Sequence, residues 1–151
     1  MGVRLSEEEL WGELARAHTG ILTTLRRDGM PVSLPTWFVV TDQRVYVRTM
    51  ESTKKVTHVE RDPRATFLVE RGERWADLCA VMLTTRVVLH REGDVMTRVE
   101  DALDEKYAAY RTAPGGMPDA SREHYADPAV VLELVPTGAP VTWDNSKLRL
   151  R

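Results

Sequence analysis

Two β-rich runs, "GILTTL" and "VSLPTWFVV", flank the tight turn Arg27-Asp28-Gly29, and "RVYVRTM" follows after a second turn at Thr41-Asp42-Gln43. Turns this short join antiparallel neighbours. A parallel pair needs a crossover of about a dozen residues or more, and none fits between these runs. Further β-rich runs follow: "ATFLVE", then "WADLCAVMLTTRVVLHRE" as one long strand or a bent pair, "AVVLELVP" and a short "VTW". About six antiparallel strands with few helices predict a mainly β fold, a small barrel decorated by helices.

The helical signals are local. Ser6 and Glu9 have the spacing of a capping box, and Leu5 and Leu10 occupy the staple positions around it. Leu10, Leu14 and Ala17 continue as an apolar stripe, and Gly20 ends the segment. A second helix is predicted from about Asp94 to Arg111, with Val95, Val99, Leu103, Tyr107 and Tyr110 on one side. The stretch "TAPGGMPDASREHYADP" reads as loop with a helical turn near Ser121–Tyr125.

A chain of 151 residues is expected to form one domain, residues 1–151. With a net charge of −2 there is no basic field to argue for nucleic acid. No apolar run approaches the ~20 residues of a membrane span, and the N-terminus lacks the apolar stretch of a secretion signal. Cys79 is alone among apolar neighbours, which excludes an internal disulfide and a cysteine-rich zinc site. The expectation is a cytoplasmic protein.

The segment "YVRTMESTKKVTHVERDPRATFLVE" concentrates donors where a helix should begin. Ser52 or Thr53 is the expected N-cap, and Asp62-Pro63 stops the helix near Arg61. The exposed N–H groups and partial positive charge of a helix N-terminus suit a phosphate. Thr49, Ser52 and Thr53 add hydroxyls, and Arg48, Lys54 and Lys55 add charge. The same residues also describe a capped surface helix with solvated lysines.

The order of these runs, closing on "VTWDNSKL", resembles the pyridoxamine 5′-phosphate oxidase-like split β-barrel family over roughly residues 6–148. Within it the chain is most similar to short actinobacterial members that bind a flavin or the deazaflavin coenzyme F420. The resemblance implies a six-stranded antiparallel split barrel and a homodimer with cofactor clefts shared between subunits. It puts the cofactor phosphate at Arg48–Lys55, and Trp37 near the ring system. It further implies that Trp143 and Lys147 reach the partner's cleft. The longer oxidases carry a C-terminal substrate-binding segment that has no counterpart here.

His18, His58, His90 and His124 lack metal-ligand spacing, and His58 is expected to be exposed on the phosphate-end helix. Trp75 reads as a core or interface residue at a strand start. Glu100, Asp101, Asp104 and Glu105 read as one solvated helix face. No nucleophile motif, carboxylate pair or Gly-rich dinucleotide loop stands out, and a ring cofactor that carries the hydride chemistry does not require one. The expected function is F420-dependent hydride transfer to an electron-poor small molecule. Both cofactors carry a ribityl phosphate. The anionic oligoglutamate tail of F420 would be met by Lys54, Arg61, Lys147 and Arg149. The alternatives are an FMN-dependent oxidoreductase of the same fold, a non-catalytic flavin-binding protein, and a pyridoxal phosphate-binding protein.

Overall fold

Every strand ladder of the protein is antiparallel, as the short turns require. The structure is a computed structural model and describes residues 2–148; Arg149 and the rest of the basic tail lie outside them. The elements are α1 (Glu7–Arg16), β1 (Gly20–Leu25), β2 (Pro31–Thr36), β3 (Val39–Thr41), β4 (Arg44–Met50), α2 (Lys54–Arg61) and β5 (Arg64–Arg71). They continue with β6 (Cys79–His90), α3 (Asp94–Tyr107), α4 (Asp119–Tyr125), β7 (Ala129–Pro136) and β8 (Val141–Asp144). One curled sheet runs β2-β1-β5-β6-β7-β4-β3, with β8 added beside β6.

Eight strands stand where six were expected. The run after the first turn breaks at Trp37-Phe38, which separates β2 from β3. The short C-terminal run is a true strand, β8. It pairs with Cys79–Met82 of β6, while β7 pairs with Thr85–His90 of the same strand. A single strand of 12 residues is long enough to serve two partners along one edge.

The curl encloses one apolar core. Phe38, Val45, Val47, Phe67, Leu83, Leu132 and Leu134 project inward, and Leu10 and Leu14 of α1 and Val59 of α2 pack onto them. α1 begins as predicted: Ser6 Oγ accepts from Glu9 N–H at 3.2 Å, and Glu9 Oε2 accepts from Ser6 N–H at 2.7 Å. It ends earlier than expected, with Ala17 as C-cap, and Gly20 opens β1 instead. The buried Glu13 of α1 receives both Nε and Nη2 of Arg71, each at 2.9 Å. That bidentate bond, helped by Arg16, holds its carboxyl below the usual range. A second apolar group lies on the other face of β4, where Val99, Leu103 and Tyr107 of α3 meet Val39, Tyr46 and Val131.

Candidate functional site

The turn from β4 into α2 brings part of the predicted cradle together. Thr49 and Thr53 lie side by side, their Oγ1 atoms 3.1 Å apart. Thr53 is the N-cap, yet its hydroxyl donates to Met50 O at 2.9 Å and caps nothing. The contrast with Ser6 is instructive. Among the described residues no side chain caps α2; Val56 N–H donates to Thr53 O at 3.1 Å, which leaves the Lys54 and Lys55 N–H groups with capacity for an anion. Lys55 leaves that first turn half-buried. Burial pushes its amine below the ordinary lysine value, and among the described residues it has no ion-pair partner. Lys54 beside it is exposed.

His58 corrects an expectation. It is buried, and its Nδ1 lies 2.9 Å from Thr24 Oγ1 on β1. Burial lowers its proton affinity, and the nearby charges of Arg61, Arg26 and Lys54 lower it further. The field that disfavours a protonated histidine here is one that favours an anion. Arg61 is fixed by donating to Leu25 O at 2.7 Å.

Other predicted members point elsewhere. Successive side chains of a strand alternate faces, so Arg48 and Thr49 diverge. Arg48 turns toward α3, where its buried Nε lies 3.5 Å from Glu100 Oε1 without a hydrogen bond. Glu100 is therefore a partner of Arg48 rather than part of a purely solvated face. Ser52 Oγ donates to Asp127 Oδ2 at 2.5 Å, which sets a carboxylate beside it. Lys147 Nζ contacts Glu9 Oε2 at 2.7 Å and Arg4 O at 3.1 Å, tying the chain's two ends together. Trp143 lies on β8 opposite Ala80, partly exposed on the outer face of the sheet. Trp75 falls in a short 3-10 turn before β6 and is 61% exposed, so it is not a core residue.

Trp37 sits at the β2–β3 break. Its ring stacks on Tyr107 of α3, with centroids 4.3 Å apart and planes 3° from parallel. The Tyr107 hydroxyl donates to His18 O at 2.7 Å and lies 3.0 Å from both Phe38 N and Phe38 O, locking the break in place. Beside it stands a residue that sequence reasoning missed. Lys106 Nζ donates to Phe38 O at 2.9 Å and lies 3.8 Å from the Phe38 ring centroid. Burial lowers its pKa to about 8. No pattern marked it, because a lysine next to a helix stripe looks like any solvated charge. A cavity of ≈ 500 Å³ between α1 and the β3–β4 turn, lined by Leu10, Trp11, Gln43 and Pro136 among others, holds none of these residues.

Comparison with known proteins agrees with this architecture. No curated protein sequence matches the chain. A conserved hypothetical protein of Mycobacterium tuberculosis superposes with a TM-score of 0.84 at 25% identity, covering 99% of this chain and 91% of that one. An F420 reductase superposes at 0.67 with 19% identity, covering 90% and 98%. A haem storage protein of Vibrio cholerae superposes at 0.70 with 13% identity, covering 95% and 96%. At such identities the last two share the fold, and the fold alone does not choose between their ligands. The sequence is more specific: the family model described as pyridoxamine 5′-phosphate oxidase matches residues 6–139. With the split antiparallel barrel and the match spanning nearly all of it, the chain belongs to the pyridoxamine 5′-phosphate oxidase family.

Proposed function

We propose that the protein is an oxidoreductase that binds coenzyme F420, with FMN as the alternative, and reduces an electron-poor small molecule. The observation that carries this reading is Lys55. A half-buried ammonium without an ion-pair partner among the described residues, beside a helix N-terminus with no side-chain cap, fits a phosphate. Thr49, Thr53 and Lys54 would complete the phosphate site, and Trp37 would face the ring. The bound ring supplies the hydride. The protein's part is to hold the phosphate, order the ring and exclude water. Arg26, Lys54 and Arg61 around His58 favour the more anionic F420.

In this reading the chain is one domain, residues 1–151, that works as a cytoplasmic homodimer with clefts between subunits. Trp143 and Lys147 then serve the partner's cleft, the latter after leaving Glu9. No helix among the described residues is long and apolar enough to cross a membrane. No cluster of metal-ligating residues occurs among them either.

The test is the absorbance spectrum of the purified protein, then titration with F420 and FMN, in wild type and Lys55→Ala. The variant is expected to lose about 1.5–3 kcal/mol of cofactor affinity, the range of a charge-assisted hydrogen bond. Unchanged affinity would move the phosphate elsewhere. Reduced cofactor with a panel of enones and quinones then separates an enzyme from a cofactor-binding protein. Binding without turnover would assign the latter.

A further inference from the structure

The cavity between α1 and the β3–β4 turn is separate from the cradle and from Lys106, and hydride transfer at the cradle makes no use of it. At ≈ 500 Å³ it has the volume of a small-molecule site. Its buried lining residues, Leu10 and Leu83, form an apolar floor, and the half-buried Trp11 forms a wall. The rim is exposed and polar, with Glu7 from the first turn of α1 and Asp42 and Gln43 from the hairpin turn. Gln43 Nε2 donates to Glu7 Oε1 at 3.0 Å. A second, more open hollow shares Glu7, Gln43 and the same Trp11, and adds Glu8.

Two further observations bear on what the cavity would take. Asp42 and Gln43 both have positive φ, 51° and 56°. Hairpin turns of two such residues favour Asn or Asp followed by Gly. Asp42 meets that preference and Gln43 does not, yet its side chain reaches Glu7 as a glycine could not. The rim is also one-signed. Glu7, Glu8 and Asp42 form no ion pair among the described residues. Arg44 is the one cation lining either hollow, and its Nε lies 3.7 Å from Glu133 Oε1.

We propose that this cavity is a binding site for an apolar primary amine, a molecule with one ammonium on an aryl or alkyl body. The body displaces water from over Leu10 and Leu83. The ammonium sits at the rim, where Glu7 and Asp42 accept charge-assisted hydrogen bonds and the face of Trp11 attracts a cation. A carboxylate has acceptor sites to spare, so Glu7 can hold the Gln43 amide and an ammonium together. None of Thr49, Thr53 and Lys55 lines the cavity, so the amine and the cofactor bind independently.

The probe is phenethylamine, titrated into the isotope-labelled full chain and read by NMR shifts of the Trp11 indole N–H and the Gln43 side-chain amide. Phenethyl alcohol and hydrocinnamate keep the ring and replace the ammonium by a hydroxyl or a carboxylate. The amine is expected to bind at least about tenfold more tightly than either. Glu7→Gln and Asp42→Asn should each weaken it about threefold, the scale of an exposed ion pair, and together about tenfold. Both variants are expected to fold, since Asn tolerates positive φ and the Ser6–Glu9 capping box is untouched. Equal affinity for the amine and the alcohol would overturn the proposal, as would tighter binding of the carboxylate, which would put Arg44 in charge of the site. So would an affinity unchanged in the double variant, or amine-induced shifts confined to residues outside the two hollows. Trp11 shifts that follow protein concentration instead of amine would assign the hollow to a second copy of the chain and overturn it equally.

Discussion

Lys106 shows how a single side chain can oppose the fold that carries it. Its amine titrates at about 8 in the native protein against 10.5 when unfolded, because burial disfavours the ammonium. Below pH 8 the native state holds a charge it would rather release. Between the two values the unfolded chain binds the extra proton, so stability rises with pH. Tyr46 and Tyr107 have raised values, and their contributions fade only as pH climbs past the ordinary tyrosine value of 10; below that, Lys55, lowered by burial, adds to the rise, and the Cys79 thiol, raised by burial above its ordinary 9.0, opposes it. Lys106→Met is expected to make that rise shallower, leaving the Lys55 share, read by urea unfolding at several pH values with Cys79→Ala as the background. Without the ammonium, Phe38 O would compete with His18 O for the single Tyr107 hydroxyl proton, a cost set against the relief of the buried charge. His58 follows the same sign at lower pH. Its native value lies below the ordinary histidine value of 6.5, so its contribution is present above that value and is lost as pH falls through the native one. Glu13, held low by Arg71, gives way only in more acid solution. His58→Gln keeps a partner for Thr24 and should flatten the stability loss between pH 7 and 5; an unchanged slope would show that His58 titrates normally.

At the scale of elements, legibility follows the range of the cause. The α1 cap and the Arg27-Asp28-Gly29 hairpin depend on residues a few positions apart, and both could be read. α2 was readable from Thr53 to Asp62-Pro63 for the same reason. The β2–β3 break was not, because the Tyr107 hydroxyl that fixes it comes from a helix 69 residues away. His58 was misread because Thr24 lies 34 positions back. The residues of the candidate cradle were only partly legible as neighbours in space. Its spacing named Thr49, Thr53, Lys54 and Lys55, but the strand alternation that turns Arg48 toward Glu100 matters only once α3 is in place. Gly20 carries a similar lesson. It looked like a helix terminator, yet a Cβ there would sit 2.1 Å from the Phe67 ring. Phe67 is fully buried and cannot retreat without disturbing β5. Gly20→Ala is expected to cost about 1–3 kcal/mol through overpacking, measured as a lower denaturant midpoint with an unchanged m-value. A neutral result would mean that the ring has room to shift.

At the scale of the whole molecule, the sheet leaves a face unaccounted for. Pairing lines up Pro35, Ile21, Leu68, Met82 and Val141 across β2, β1, β5, β6 and β8. Their side chains lie opposite the inward row of Leu22, Phe67 and Leu83, so they form an apolar band on the outside. Val141 is 49% exposed, and Trp143, 37% exposed on the same face of β8, extends the band. A row this continuous is expected to be covered, and the prediction is that a second copy of the chain, related by C2 symmetry, covers it with a self-complementary surface. Leu68 is the middle of the row. Leu68→Glu would place a charge, and its two copies near the dyad would repel, while the core side of β5 is untouched. Sedimentation should show wild type as a dimer at micromolar concentration and Leu68→Glu as a folded monomer. If the clefts are shared, that monomer should also lose cofactor binding although Lys55 and Thr53 are intact. A Leu68→Glu monomer that binds cofactor at full strength would confine the site to one chain, and the cradle at the start of α2 would then be the whole of it.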